Sequence, residues 1–298
     1  MPGDYRAKRA KRLAEDALDL AHDEEAWAHL TSTIAGVAEK KYETQRGEIE
    51  LGLLSDYTEE AQFILDHWGQ MMGHSSGYAS VDLLTKGFVE GEMSIVGAET
   101  SVGKTTFMCN LAVNMAKKGL TVLFVSLETD KPNLTAKIAK IAGKDFERIA
   151  PFIVVNKSDE LNWKSVDKLV EHATKEMGVA AIFIDHLHYF SRELDKVAED
   201  LGRITKEMKK NAIRHKIPII LASHVRKLEG KKKADINDLR GSSYIAQDAD
   251  VVLMLARSKE KPGNILVTCS KNRNRGIDFE NNYCYLKFDG TVLSEGGQ

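Results

Sequence analysis

From residue 77 onward, short apolar runs alternate with amphipathic stretches. The runs fall at 94–96, 121–126, 152–155, 180–185, 217–223, 251–256, 265–270 and 283–288. The earlier ones are continuously apolar, as in strands covered on both faces. Helical stretches between them predict a parallel α/β sheet. The last three runs lie close together, with turn pairs Pro262-Gly263 and Asp289-Gly290 between and after them, and predict an antiparallel edge.

Before residue 77 the pattern is helical. In residues 1–48, Leu13, Ala17, Leu18 and Ala21 share one helical face, and Trp27, Leu30, Ile34, Val37 and Ala38 share another. Residues 49–56 read as a linker. Thr58 can then cap a helix whose first turn carries Glu59 and Glu60. Ala61, Ile64, Leu65, Trp68 and Met72 form its apolar stripe, ended by Gly69 or Gly73. Such a helix needs a surface to bury that stripe, on its own domain or on a neighbouring subunit. The predicted organisation is a helical extension at 1–57, a linker helix at 58–76 docking on a neighbouring subunit, and an α/β domain at 77–298.

Composition narrows this only a little. The chain has 298 residues, 43% hydrophobic and 29% charged, as in ordinary globular proteins. A net charge of -2 excludes a globally basic nucleic-acid binder, so any such binding needs a local patch. Cys109, Cys269 and Cys284 are scattered without metal-ligand spacing and read as reduced core thiols. No apolar run spans a bilayer, and the basic N-terminus has no apolar segment behind it. The expectation is a cytoplasmic protein with no membrane partner.

The chemistry concentrates after the first strand. Gly97-Ala98-Glu99-Thr100-Ser101-Val102-Gly103-Lys104-Thr105-Thr106 joins an apolar run to an amphipathic one at 107–117. Strand, small-residue loop, Gly-Lys-Thr and helix is the layout of a phosphate-binding loop. Unpaired N–H groups at a helix N-terminus cradle phosphate. Lys104 would reach the β- and γ-phosphates, and the Thr105 hydroxyl would bind Mg²⁺. Ala98 stands where the strict pattern has its first glycine. The competing reading is a loop that merely packs small residues.

Three later strands end in polar residues. The run 122–126 leads to Glu128, placed to polarise a water near a γ-phosphate or to cap a helix or form a salt bridge. The run 181–184 ends in Asp185, the Walker B pattern in which a carboxylate holds Mg²⁺. The run 219–223 leads to His224, a γ-phosphate sensor or a structural histidine. A basic loop follows, with Arg226, Lys227, Lys231, Lys232 and Lys233. It suits a nucleic-acid backbone, or is a solvated charge run. A second basic turn carries Lys271, Arg273 and Arg275, and an arginine there could act on a neighbour's nucleotide.

Taken together these motifs resemble the C-terminal domain of DnaB-type hexameric replicative helicases, the superfamily that includes phage helicase-primases and the mitochondrial Twinkle helicase. The resemblance covers about residues 58 to 293. The segment Gly77-Tyr78-Ala79-Ser80-Val81-Asp82-Leu83-Leu84-Thr85-Lys86-Gly87-Phe88 is similar to that family's lead-in. Ser126-Leu127-Glu128 is similar to the segment bearing its catalytic base. Asp238-Leu239-Arg240-Gly241-Ser242-Ser243 followed by Gln247-Asp248-Ala249-Asp250 is close to its most distinctive motif.

The resemblance implies a RecA-like P-loop NTPase core and an ATP hydrolase using ATP and Mg²⁺. It implies a replicative DNA helicase moving on single-stranded DNA as a ring, a hexamer being the family's form, with a separate primase or loader as a further partner. Carried over residue by residue, Lys104 and Thr105 serve phosphate and Mg²⁺, Asp185 the metal, Glu128 the water and His224 the sensor. The nucleotide would lie on Ala98, Ser101, Val102, Gly103 and Thr106, with Arg257 and Phe288 flanking the base. Lys271 and Arg273 would act in trans. DNA would meet Arg226, Lys227, Lys231, Lys232, Lys233, Arg240 and Ser243. Two departures bear on loader and primase coupling rather than on the ATPase. The family's collar or primase domain is replaced by the extension at 1–57, and Gly241 stands where the family has an acidic residue. The rival readings are a RecA-like recombinase or annealing ATPase, and a nucleotide-binding assembly protein without turnover.

Overall fold

The structure, a computed structural model, describes residues 54–67, 72–156, 165–186, 197–225, 236–239, 247–277 and 280–296. The chain forms two compact units, residues 1–60 and 61–298. The two helices expected in 1–48 lie outside the described residues. Of the first unit, a 3-10 turn Leu54–Tyr57 and the start of helix α1 (Thr58–Asp66) are described. The Thr58 hydroxyl donates back to the Ser55 carbonyl at 3.0 Å rather than accepting an N–H as a cap would. α1 stops at Asp66, before the expected glycines, and Met72 lies off it. Phe63, Ile64 and Leu65 on α1 are exposed.

The second unit is built on one nine-stranded sheet of order β3-β2-β4-β5-β1-β6-β7-β8-β9. The parallel strands are β1 (Met93–Ala98), β2 (Val122–Ser126), β3 (Ile153–Val155), β4 (Ala181–Asp185), β5 (Ile219–His224) and β6 (Val251–Arg257). β7 (Asn264–Asn272), β8 (Tyr283–Phe288) and β9 (Leu293–Glu295) continue antiparallel. The last three runs form the expected antiparallel edge, with β6 as the junction strand: it pairs parallel with β1 on one side and antiparallel with β7 on the other. The helices are α2 (Ala79–Thr85), α3 (Lys104–Lys117), α4 (Lys131–Ala142), α5 (Phe146–Ile149), α6 (Val166–Lys175) and α7 (Val197–His215).

The period-two alternation of each strand divides the core. Val96, Phe124, Phe183 and Ala222 pack with Phe107, Leu111 and Leu134 of α3 and α4 on one face. Ile95, Val125, Ile182 and Leu221 pack with Val170 of α6 and Leu201, Ile204 and Met208 of α7 on the other. Being covered twice is why these strands read as unbroken apolar runs. Cys109 and Cys269 are buried, Cys284 is half-buried, and burial raises their thiol pKa values to about 12, 11 and 11. That keeps them protonated and unreactive, as core thiols should be. Among the described residues no helix is long and apolar enough to cross a membrane.

The register sets the site. Ser126 stands opposite Asp185, and Ala98 opposite His224. Since β2, β4, β5 and β1 are neighbours in that order, their carboxyl ends bring Glu128, Asp185, His224 and the loop after β1 into one row. A ligand crevice in an open α/β sheet lies at such carboxyl ends.

Candidate active site

Glycines shape the loop after β1 in two ways. At Gly97 a Cβ would lie 2.6 Å from Leu239 and 2.7 Å from the Met254 sulfur, so this glycine serves close packing beneath the loop. At Gly103 the backbone has φ of 117°, the left-handed region, immediately before α3 begins. The Gly103 carbonyl accepts the Phe107 N–H at 2.8 Å, which starts the helix ladder. The N–H groups of Lys104, Thr105 and Thr106 thus have no partner within the helix, and no acidic side chain occupies its first turn. That leaves an electropositive helix end open to an anion.

The loop, Glu128 and His224 line an open pocket of about 880 Å³, together with Lys137, Arg257, Ile265, Phe288 and their neighbours. Ser101, Gly103, Lys104, Thr105 and Thr106 line it as expected. Ala98 does not: it is a buried residue of β1, its carbonyl accepting the Val225 N–H at 3.1 Å. Val102 is likewise buried and absent from the pocket wall. At the pocket's far side the Arg257 guanidinium donates to the Ser101 carbonyl at 3.0 Å, bracing the loop from the end of β6.

Charged groups crowd behind the loop. Lys104 Nζ donates to His224 Nδ1 at 3.1 Å. Burial lowers the Lys104 pKa to about 8, against the pull of Asp185 and Glu128. Burial also raises the pKa of Asp185, while the Thr105 hydroxyl and Lys104 work to lower it. Among the described residues neither Asp185 oxygen has a hydrogen bond of normal geometry, although Thr105 is near enough to favour the ionised form. A buried carboxylate with unfilled lone pairs, beside a hydroxyl, fits an oxygen-preferring divalent cation. Two further side chains stand beside Lys104, Glu128, Asp185 and His224 here. Lys137 reaches the pocket from α4, and His186 stands between Glu128 and His224. Burial and then the Lys104 charge lower the His186 pKa to about 4, so this ring is neutral.

The chain matches the sequence profile described as "DnaB-like helicase C terminal domain" over residues 73–149 and 140–288. The chain belongs to this DnaB-like family. A probable replicative DNA helicase of Trieres chinensis is 29% identical over 220 residues, covering 63% of this chain and 48% of that protein. The chain thus spans about half the length of the first relatives it matches. Among solved structures, a DnaB-like replicative helicase studied for its interactions with primase superposes with a TM-score of 0.70 at 17% identity, covering 98% of this chain and 77% of that one. A separately solved ATPase domain superposes with a TM-score of 0.71 at 20% identity, covering 83% of this chain and 100% of that one. At such identities the superpositions speak for the fold: a RecA-like core with a mostly parallel sheet and an antiparallel edge.

In this DnaB-like chain, Lys271 and Arg273 do not reach the pocket. They sit at the opposite, amino end of the parallel strands. Asp250, just before β6, accepts the Met93 N–H at 2.8 Å and the Lys209 ammonium at 2.6 Å. The Arg273 guanidinium pairs with the same carboxylate at 3.4 Å and also donates to the Gln247 carbonyl. Lys271 Nζ donates to that carbonyl at 3.4 Å. Arg275 is consumed within the fold by a two-pronged pair with Glu92 at 2.8 and 3.0 Å, both side chains 7% exposed. Arg273 keeps 43% of its side chain exposed, so of the two arginines it is the one available to another molecule. The DNA-contact candidates Arg226, Lys227, Lys231, Lys232, Lys233, Arg240 and Ser243 lie outside the described residues.

Proposed function

We propose that this chain is the ATP-hydrolysing motor of a replicative DNA helicase that moves along single-stranded DNA as a ring, hexameric in its working form. The observation that carries the reading is the convergence of Lys104, Glu128, Asp185 and His224 at the carboxyl ends of four adjacent strands, around a loop that opens a helix. In this reading the first-turn N–H groups and Lys104 bind the β- and γ-phosphates. Asp185 and Thr105 would hold Mg²⁺, which would supply neutralisation of the charge that develops on the phosphates. Glu128 takes the proton of the attacking water. His224 meets the γ-phosphate, and Arg257 and Phe288 flank the base.

Arg273 and Lys271 act on a neighbouring subunit's nucleotide, which is why a ring is needed. The helix α1 with its exposed Phe63, Ile64 and Leu65 would dock on that neighbour, and a loader or primase would be supplied separately. DNA would be held by the basic segments at 226–233 and 240–243. Support for coupling them to ATP comes from their flanks. Val225 bridges Leu239, Val225 N–H bonds to Ala98, and Leu239 packs over Gly97. Movement in the segment between would be felt at the root of the phosphate loop.

The reading is tested by ATPase and forked-duplex unwinding assays, paired with mass measurement with and without nucleotide. DNA-stimulated hydrolysis, strand separation and nucleotide-dependent rings are expected. Filaments with strand exchange and no unwinding would make the chain a recombinase, and ATP binding without turnover a nucleotide-binding assembly protein.

Proton uptake gives an independent check on Lys104. Its pKa is depressed from 10.5 to about 8, so above about pH 8 the empty site holds it largely neutral. An arriving triphosphate stabilises the ammonium and moves the pKa back up. Between the two values binding must therefore take up a proton, and affinity must fall as pH rises through that window. Titration calorimetry in buffers of different ionisation heat should find uptake of close to one proton at about pH 9 and almost none at about pH 7. Lys104→Met should bind weakly and without that uptake. Equal proton uptake at both pH values would remove the depressed lysine from the site.

A further inference from the structure

We propose that Asp250 is a positioning residue for Arg273: its buried carboxylate fixes where the guanidinium stands when it meets the nucleotide of a neighbouring subunit. The inference rests on the reading above in which Arg273 acts in trans, and deepens it. Asp250 holds Arg273 twice. Its carbonyl accepts the Arg273 N–H at 2.8 Å, and its Oδ1 pairs with Arg273 Nη1 at 3.4 Å. The carboxylate side chain is 2% exposed, the arginine side chain 43%.

The two carboxylate oxygens have different partners. Oδ2 accepts the Met93 N–H at 2.8 Å and the Lys209 ammonium at 2.6 Å. The Asp250 N–H donates in return to the Met93 carbonyl at 2.8 Å. Turning the carboxylate would break both bonds to Oδ2 at once, so Oδ1 is a fixed point. The turn beyond Arg273 is fastened separately, since Asn274 and Arg275 both donate to Glu92. Among the described residues, the guanidinium itself is held by Oδ1 and by the Gln247 carbonyl, and Oδ1 is the charged one of the two.

Distances decide which cation neutralises the carboxylate. Lys209 does so at 2.6 Å; Arg273 at 3.4 Å is directed by Asp250 without being consumed by it. Lys271 and Asp248 belong to the same cluster, and Asp248 takes the Thr205 hydroxyl at 3.1 Å. Lys209, Lys271 and Arg273 thus stand against Asp248 and Asp250. The surplus positive charge falls on the half-exposed arginine, whose planar fork suits a phosphate. A clamp between the starts of β1 and β6 would need Oδ2 alone; it gives no role to Oδ1 or to the surplus charge.

The test uses Asp250→Asn in the full chain. The asparagine oxygen can still accept from Met93 and Lys209, but its amide N–H groups then face the guanidinium, donor against donor. DNA-stimulated kcat should fall about 10–100-fold, the cost of a misplaced group, with affinity for a non-hydrolysable ATP analogue nearly unchanged. In an Arg273→Ala background the same substitution should cost little further. Mixed rings separate positioning from support. A residue that only supports β1 and the phosphate loop spoils its own chain's site, whereas one that positions Arg273 spoils the neighbour's. Mixing Asp250→Asn with Glu128→Gln subunits should therefore recover part of the rate, and mixing it with Arg273→Ala subunits should recover none. Wild-type kcat in Asp250→Asn would overturn the positioning role. So would a failure to recover with Glu128→Gln under conditions where Arg273→Ala does recover, and the trans-acting arginine would then stand without it. No recovery by Arg273→Ala either would overturn both. If Asp250→Asn fails to fold because it strands the Lys209 ammonium, the double variant Asp250→Asn, Lys209→Met removes both charges and decides in the same assays.

Discussion

Glu128→Gln should leave ATP affinity close to wild type and lower turnover by about two orders of magnitude or more. Glutamine keeps the shape of the side chain and its reach into the pocket from beyond the end of β2. It cannot take a proton. General-base catalysis is worth about 10²–10⁴-fold, or roughly 3–5 kcal/mol of barrier. Ground-state binding would not depend on that proton, because in the proposed site the phosphates would be held by the first-turn N–H groups of α3 and by Lys104. Single-turnover hydrolysis measured beside equilibrium binding separates the two quantities. Near-normal turnover in the variant would remove Glu128 from the mechanism. Weak binding with normal turnover would instead make it a binding residue.

The parts of the site legible in the sequence are those whose signal is local. The eight apolar runs became strands, and the central parallel ones, β1, β2, β4 and β5, are continuously apolar because both their faces are buried, each delivering its next polar residue to the sheet's carboxyl edge. That is why Glu128, Asp185 and His224 were readable one strand at a time. The loop was readable because Gly103 and Lys104 must stand together to open a helix at a phosphate. What was not legible depends on convergence. His186 reads as the residue after a strand, and its contact with His224 spans 38 positions of sequence. Lys137 reads as one of several lysines on an amphipathic helix, and only the packing of α4 turns it to the pocket. β9 has three residues and a single buried one, Leu293, too little pattern to show a period. Gly97 and Ala98 belong to strand packing, Gly97 because Leu239 and Met254 press on it, although the sequence invites reading both as phosphate loop.

Convergence also decides which basic residue of the second turn stays exposed enough to meet another molecule. Lys271, Arg273 and Arg275 are equivalent in sequence. Glu92 and Asn274 lock Arg275 inside, with the Asn274 amide donating to Glu92 at 2.7 Å. Lys271 is partly buried, which lowers its pKa, and the neighbouring Arg273 charge lowers it further. Arg273 stays 43% exposed while paired to a buried anchor. Its backbone N–H donates to the Asp250 carbonyl at 2.8 Å and its guanidinium pairs with the Asp250 carboxylate. Asp250 in turn holds the Met93 N–H, the first residue of the strand that ends in the phosphate loop.

Arg273→Ala should therefore abolish DNA-stimulated hydrolysis and leave nucleotide affinity largely intact, because the residue lies at the end of the sheet opposite its own chain's pocket. A trans-acting arginine is worth about 10³–10⁵ in turnover. Removing it exposes little of the core, since Lys209 still neutralises Asp250 at 2.6 Å. Mixing gives the decisive measurement. Every site in an Arg273→Ala ring lacks its arginine, and every site in a Glu128→Gln ring lacks its base. In a mixed ring, a site whose own chain is the Arg273→Ala variant and whose neighbour is the Glu128→Gln variant has both residues intact. Mixtures should recover part of the wild-type rate, with a maximum near equal proportions, and should lose it again when subunit exchange is blocked. A cis-acting arginine gives no recovery at any ratio. Failure of every mixture, together with failure of Arg273→Ala to bind ATP, would return Arg273 to a purely structural role beside Asp250.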